Sequence, residues 1–225
     1  MNWVQVDGVA RRAVIVPLGS LEQHGPHLPL GTDTRIAVAV AHAAASGRSG
    51  VAVAPPVAFG ASGEHAAFPG TLSIGTAALV ELLVELGRDA TRHWGALLFV
   101  NGHGGNRDAM SAALDRLAGE GRRCAAFSIS PNGGDAHAGL TETSMLLHLD
   151  PAVVQYEDAE PGERAPLPEL IERLRREGVR AVSPNGVLGD PRGATAEKGR
   201  RLLDEVTVGC AAILDSLLSD GPGDG

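Results

Sequence analysis

The sequence predicts an α/β fold, a single-domain three-layer α/β/α arrangement around a mostly parallel central sheet. Three observations carry this expectation. Short β-branched apolar runs are closed by glycine or polar residues, stretches with helical apolar spacing alternate with them, and the polar motifs fall where the runs end.

The run Ala13-Val14-Ile15-Val16-Pro17-Leu18 is continuous, as a strand buried on both faces of a parallel sheet requires, and Gly19 closes it. A Pro- and Gly-rich segment over residues 23–32 leads into an alanine-rich helix over 34–45, with Thr32 or Asp33 as its N-cap. Residues 51–54 read as a second strand. Residues 58–75, crowded with Gly, Ser, His and Pro, form a connection of a length that is usually functional or disordered. Leu79, Leu82, Leu83, Leu86 and Ala90 then recur with helical spacing within residues 76–94, and a third strand follows over 96–100. Asn101-Gly102-His103-Gly104-Gly105-Asn106 turns the chain into a helix ending near Gly119, and residues 124–129 supply a fourth strand. Beyond Asp150-Pro151 come an acidic stretch, a charged helix over 168–177, a loop over 183–193 and a last helix over 194–218. One domain over residues 1–219 is expected, with a disordered Gly/Asp-rich tail over 220–225.

Composition narrows the function. The 225 residues, 44% of them hydrophobic, suffice for a continuous core without disulfides. Net charge is −8 with no basic stripe and only 3% aromatics, which argues against nucleic acid as a partner. No apolar run is long enough to span a bilayer, and residues 1–12 lack the apolar core of a secretory signal. Cys124 and Cys210 lie far apart within apolar stretches, as buried thiols in a reducing, cytoplasmic setting would.

The chemistry-bearing residues follow the strands. Glu22 and His24, two positions apart in an extended segment, project to the same side and could share one cation or two neighbouring ones. Asp33 closes the same loop, where its carboxylate can bridge two cations or simply cap the helix. Mixed carboxylate and imidazole donors suit zinc, manganese or iron better than calcium or magnesium. His103 sits in a turn whose small neighbours Gly102, Gly104 and Gly105 admit close approach of backbone and substrate. That turn could instead cradle an anion, but it lacks the dinucleotide spacing and a Walker lysine. Glu142 could complete a second metal's shell and leave His137 for proton transfer, or the two could be a hydrogen-bonded pair supporting a local turn. His42, His93 and His148 read as core or surface residues, and His27 and His65 as groups supporting the ligands.

With these residues in view, Gly19-Ser20-Leu21-Glu22-Gln23-His24-Gly25-Pro26-His27-Leu28-Pro29-Leu30-Gly31-Thr32-Asp33 resembles the opening signature of the creatininase family of amidohydrolases. Asn101-Gly102-His103-Gly104-Gly105-Asn106 and His137-Ala138-Gly139-Leu140-Thr141-Glu142-Thr143-Ser144 resemble its second and third motifs, in the same order. The resemblance implies a paired-metal centre at the strand ends that cleaves carbon–nitrogen bonds. It implies Glu22, His24, Asp33, His103 and a further carboxylate as ligands, with Asp33 bridging. Creatinine-hydrolysing members carry Tyr and a ligand Glu after the second-motif histidine, where this chain has Gly104 and Gly105. Glu142 is the natural replacement, and the missing Tyr leaves room for a larger substrate. Residues 60–75 are most similar to the mycofactocin-system peptidase branch of the family, which releases a C-terminal dipeptide from a modified precursor peptide.

The expectation is therefore a homo-oligomeric, two-metal amide-bond hydrolase acting on a peptide. His137 serves as general acid, the Gly104-Gly105 backbone assists the oxyanion, and Ser73 contacts substrate. Its rivals are a small-molecule amidohydrolase acting on creatinine, another cyclic amide or a formamide with the same ligands, and a non-catalytic anion- or nucleotide-binding module built on the glycine-rich turn.

Overall fold

The central sheet contains β1 (Ala13–Leu18), β2 (Val51–Val53), β3 (Leu97–Asn101) and β4 (Cys124–Ser128), in the order β2-β1-β3-β4 with every neighbouring pair parallel. These come from a computed structural model that describes residues 2–219; the tail expected to be disordered, 220–225, lies outside the described residues. The helices are α1 (Trp3–Asp7), α2 (Thr32–Ala45), α3 (Gly75–His93), α4 (Arg107–Gly119), α5 (Leu140–Leu149), α6 (Leu167–Glu177), α7 (Val179–Val182) and α8 (Ala196–Ser219).

The unbroken apolar runs are explained by burial on both sides. Ala13 and Ile15 of β1 and Leu98 and Val100 of β3 face Ile36 and Val40 of α2, Met145 and Leu146 of α5, and Leu203 and Leu214 of α8. The intervening residues, Val14, Val16 and Leu18 with Leu97 and Phe99, face Leu79 and Leu83 of α3 and Ala109 and Leu117 of α4. A small third cluster joins Leu170 and Leu174 of α6 to Val179 and Val182 of α7 and to Leu188 in the loop before α8.

Connections leave β1 toward β2 on one side and, later, toward β3 on the other, so strand order reverses between β1 and β3. Such a switch point opens a crevice at the carboxyl ends of the strands. Glu22 and His24 follow β1 and His103 follows β3 at this crevice.

Two local expectations are corrected. The N-cap of α2 is Gly31 and not Thr32 or Asp33, and it makes no side-chain cap bond. Thr32 donates instead to the Pro29 carbonyl at 2.7 Å, and the Asp33 carboxylate is drawn away to His24 and Ser20. The short helices α1 and α7 were not expected, because neither is long enough to show apolar periodicity. The first rests on a capping box in which Asn2 and Gln5 exchange hydrogen bonds at 2.8 and 3.0 Å.

Candidate metal centre

Six side chains from four segments converge at the crevice. Glu22 and His24 come from the loop after β1, Asp33 from the first turn of α2, and His103 from the turn after β3. His137 and Glu142 flank the start of α5. Their donor atoms form three groups spaced for a cation: Glu22, Asp33 and His103; His24, Asp33 and Glu142; and Glu22, His24 and His137. All but Glu142 are buried.

Hydrogen bonds on the outer edges of the rings decide which nitrogens look inward. His24 Nδ1 lies 3.1 Å from the Glu22 carbonyl, His103 Nε2 lies 3.2 Å from the Ala61 carbonyl, and His137 Nε2 lies 2.8 Å from the Gln23 carbonyl. A carbonyl only accepts, so each outer nitrogen carries the ring's proton and the inner one presents a lone pair. Those lone pairs point at other acceptors: His24 Nε2 is 3.0 Å from Asp33 Oδ1, and His103 Nδ1 is 3.1 Å from Glu22 Oε1 and 3.4 Å from Asp33 Oδ2. Both carboxylate oxygens of Glu22 are buried without an aligned hydrogen bond. Acceptors facing acceptors in a buried site need a cation between them, and this donor set fits zinc, manganese or iron.

In the protein without metal, protons take that role. Burial opposes charge on Glu22, but the His103 imidazolium beside it brings its carboxyl down to about 2. Burial likewise opposes charge on Asp33, and His24 nonetheless holds it below the usual carboxylate range. Against the same penalty Asp33 lifts His24 to about 10, and Glu22 lifts His103 well above its ordinary value. Burial prevails at His137, held well below its ordinary value with repulsion from His24 and His65 adding to it, and at Glu142, pushed up to about 7.

The family model for creatininase, creatinine amidohydrolase, matches residues 1–214. The chain belongs to the creatininase family. It is 55% identical over 204 residues, 88% of this chain and 82% of the relative, to mycofactocin precursor peptide peptidase of Mycolicibacterium smegmatis. It is 53% identical over 208 residues, covering 89% and 83%, to the protein of the same name from Mycobacterium ulcerans. A creatininase variant of Zn–Zn type shares its fold with a TM-score of 0.77 at 26% identity, over 99% of this chain and 96% of that one. A creatininase structure designated Mn gives 0.75 at 26%, over 99% and 97%. As a creatininase-family member the chain is a hydrolytic enzyme for amide bonds, which displaces the reading as a non-catalytic binding module.

The remaining residues singled out in the sequence distribute around this cluster. Gly105 packs where a Cβ would lie 2.4 Å from His103 Nε2 and 2.5 Å from both the Ala61 carbonyl and Glu64 Oε1, while Gly104 faces open space. Ser73 uses its hydroxyl inside its own loop, accepting from the Ser62 and Gly75 N–H groups at 2.9 and 3.2 Å, and makes no contact with the cluster. His65 is drawn in, with Nε2 3.3 Å from Glu22 Oε1, whereas His27 pairs with Thr143 at 2.8 Å. His42, His93 and His148 are exposed.

Sequence reasoning missed four contributors. Ser20 donates a short hydrogen bond to Asp33 Oδ2, Glu64 lies 3.4 Å from His103 Nε2, and Gln23 reaches both His65 and His137. Asp135 caps α5, accepting from the Leu140 and Thr141 N–H groups. Glu142, in the first turn of α5, accepts from the Ala138 N–H at 2.6 Å, and Ala138 itself sits in the left-handed region at a φ of +52°. Asp135, five residues before the first residue of α5, was the one with a readable signal, as an acidic residue just ahead of a helix.

Proposed function

We propose that this chain is the peptidase of the mycofactocin system, releasing a C-terminal dipeptide from the modified precursor peptide with two divalent ions, Zn, Fe or Mn, bound at the centre. The observation that carries the reading is the sharing of Asp33 between two donor groups, one with Glu22 and His103 and one with His24 and Glu142. The substrate comes from the relatives at 53% and 55% identity that bear this name.

When bound, divalent ions polarise the scissile carbonyl and make water nucleophilic at neutral pH. The protein's own groups supply the rest. The ring of His137 is neutral, its outer proton committed to the Gln23 carbonyl, and its Nδ1 faces the cluster 3.7 Å from Glu22 Oε1. It therefore takes up a proton at Nδ1 from the attacking water before passing it, as general acid, to the departing nitrogen. Glu142, the least buried of the set, lines the open side and joins ligation to proton handling. Gly104 and Gly105 carry no side chain, and in this reading their backbone N–H groups assist the oxyanion. Ser73 contacts the substrate from the rim of the long loop. Gln23 also borders an open groove of about 560 Å³ whose walls include Phe68, Arg180 and Asn185, room for an extended peptide.

The catalytic unit is residues 1–219, acting in the cytoplasm as a homo-oligomer. Exposed Phe59, Leu72 and Ile74 beside the site offer apolar contact area, and the described helices include none long and apolar enough to cross a membrane. Protein purified without chelators is expected to contain about two ions per chain and to cleave a peptide ending in Val-Tyr while leaving creatinine intact. Turnover of creatinine with no peptide cleavage overturns the substrate assignment.

A further inference from the structure

Glu22 is buried, and both of its carboxylate oxygens want donors. Three ring nitrogens surround Oε1: His103 Nδ1 at 3.1 Å, His65 Nε2 at 3.3 Å and His137 Nδ1 at 3.7 Å. His103 and His137 have their outer nitrogens on backbone carbonyls, so toward Glu22 they present lone pairs suited to a cation.

His65 is built the opposite way. Its other nitrogen, Nδ1, meets the Gln23 side-chain nitrogen at 2.9 Å. The orientation of that amide is settled by its neighbours: Oε1 accepts from the Gly25 N–H at 2.9 Å and Nε2 donates to the Gly186 carbonyl at 3.0 Å. Gly186 holds the amide in place at a φ of +82°, where a Cβ would lie 1.8 Å from Gln23 Oε1, so only glycine serves there. His137 Nε2 also lies 3.1 Å from this nitrogen but spends its own proton on the Gln23 backbone carbonyl and cannot accept, so the second N–H of Gln23 goes to His65 Nδ1, which accepts. The proton of His65 is left on Nε2, the atom facing Glu22.

We propose that His65 is a positioning residue of the metal centre: Gln23 fixes its tautomer, and its Nε2–H steadies the Glu22 carboxylate for ligation without His65 itself binding metal. With the three rings neutral and their tautomers fixed by these outer partners, His65 supplies the one N–H among the three nitrogens around Oε1, at 3.3 Å and short of an aligned hydrogen bond. This inference rests on the reading of the cluster as a metal centre.

The test compares His65→Gln with His65→Asn on the full chain, with Zn2+ as the probe. The longer amide of glutamine can place an N–H near the position of Nε2, and that of asparagine stops near Nδ1. Chelator competition should leave the Zn2+ affinity of H65Q within about threefold of wild type and weaken H65N on the order of 10–100-fold, the usual effect of losing a group that orients a ligand. The number of ions bound at saturation should be unchanged in both. Equal affinities in the two variants, whether high or low, overturn the proposal, and so does the loss of an ion at saturation, which would make His65 a ligand. A wild-type protein that binds no Zn2+ overturns the metal-centre reading itself, an outcome distinct from any pattern among the variants.

Discussion

His24 Nε2 faces Asp33 Oδ1 across 3.0 Å, and the other oxygen of the same carboxylate, Oδ2, lies 3.4 Å from His103 Nδ1. One carboxylate therefore touches both donor groups, each of its oxygens turned to a different imidazole. Asp33→Ala is expected to remove both ions and the hydrolytic activity together, as read by elemental analysis beside a peptide-cleavage assay. A variant that keeps its full metal content but is inactive would exclude the bridging role.

The reach of sequence reasoning can be judged on that same residue. The β-branched run of β1 and the alternation of strands and helices are local patterns, so the parallel sheet was legible. Glu22, His24 and Asp33 lie within twelve residues between the end of β1 and the first turn of α2, so their grouping was open to a local reading. What Asp33 does there was not legible: cap and ligand look alike in sequence, and only the fold shows His24 and Ser20 drawing the carboxylate off the helix end. Gln23 and His65 were harder still. Their pairing needs residues 23, 65 and 186 to meet through loops that carry no periodic signal.

In the proposed mechanism His137 transfers protons and does not ligate metal. Its inward lone pair lies farther from Glu22 than that of His103, 3.7 against 3.1 Å. His137→Ala is expected to retain both ions and to lower kcat on the order of 10²–10⁴-fold, the span of general acid–base catalysis. Elemental analysis of the variant decides between roles, because an emptied site would make this histidine a ligand alongside Glu22 and His24.

Metal affinity should depend on pH with a definite sign. In the metal-free protein His24 is raised to about 10, with burial opposing and Asp33 favouring the charged ring. The stability this lends the fold is fully present below the ordinary histidine value near 6.5 and is lost as pH rises through about 10. A cation competes with that proton for the same Nε2 lone pair. The apparent Zn2+ affinity is therefore expected to climb between pH 6 and 9, by about tenfold per unit for each proton displaced, with protons released on binding. Titration calorimetry in buffers of different ionisation enthalpy checks both; an affinity flat across this range would show that His24 holds no proton where the metal binds.

Adjacent glycines give the last contrast. At Gly105 an added Cβ would meet His103 Nε2 at 2.4 Å, with the Ala61 carbonyl and Glu64 Oε1 at 2.5 Å, so the imidazole must move off its carbonyl partner. At Gly104 nothing lies within 4 Å. Gly105→Ala is expected to weaken Zn2+ binding on the order of 10–100-fold by releasing the orientation of His103, while Gly104→Ala changes folding stability by no more than about 0.5 kcal/mol and keeps metal affinity. Both variants retain their backbone N–H groups, so any rate loss in Gly104→Ala at full metal content would report crowding of the substrate and not loss of an oxyanion donor. Equal Zn2+ affinities in the two variants would mean that His103 does not depend on the contact that Gly105 permits.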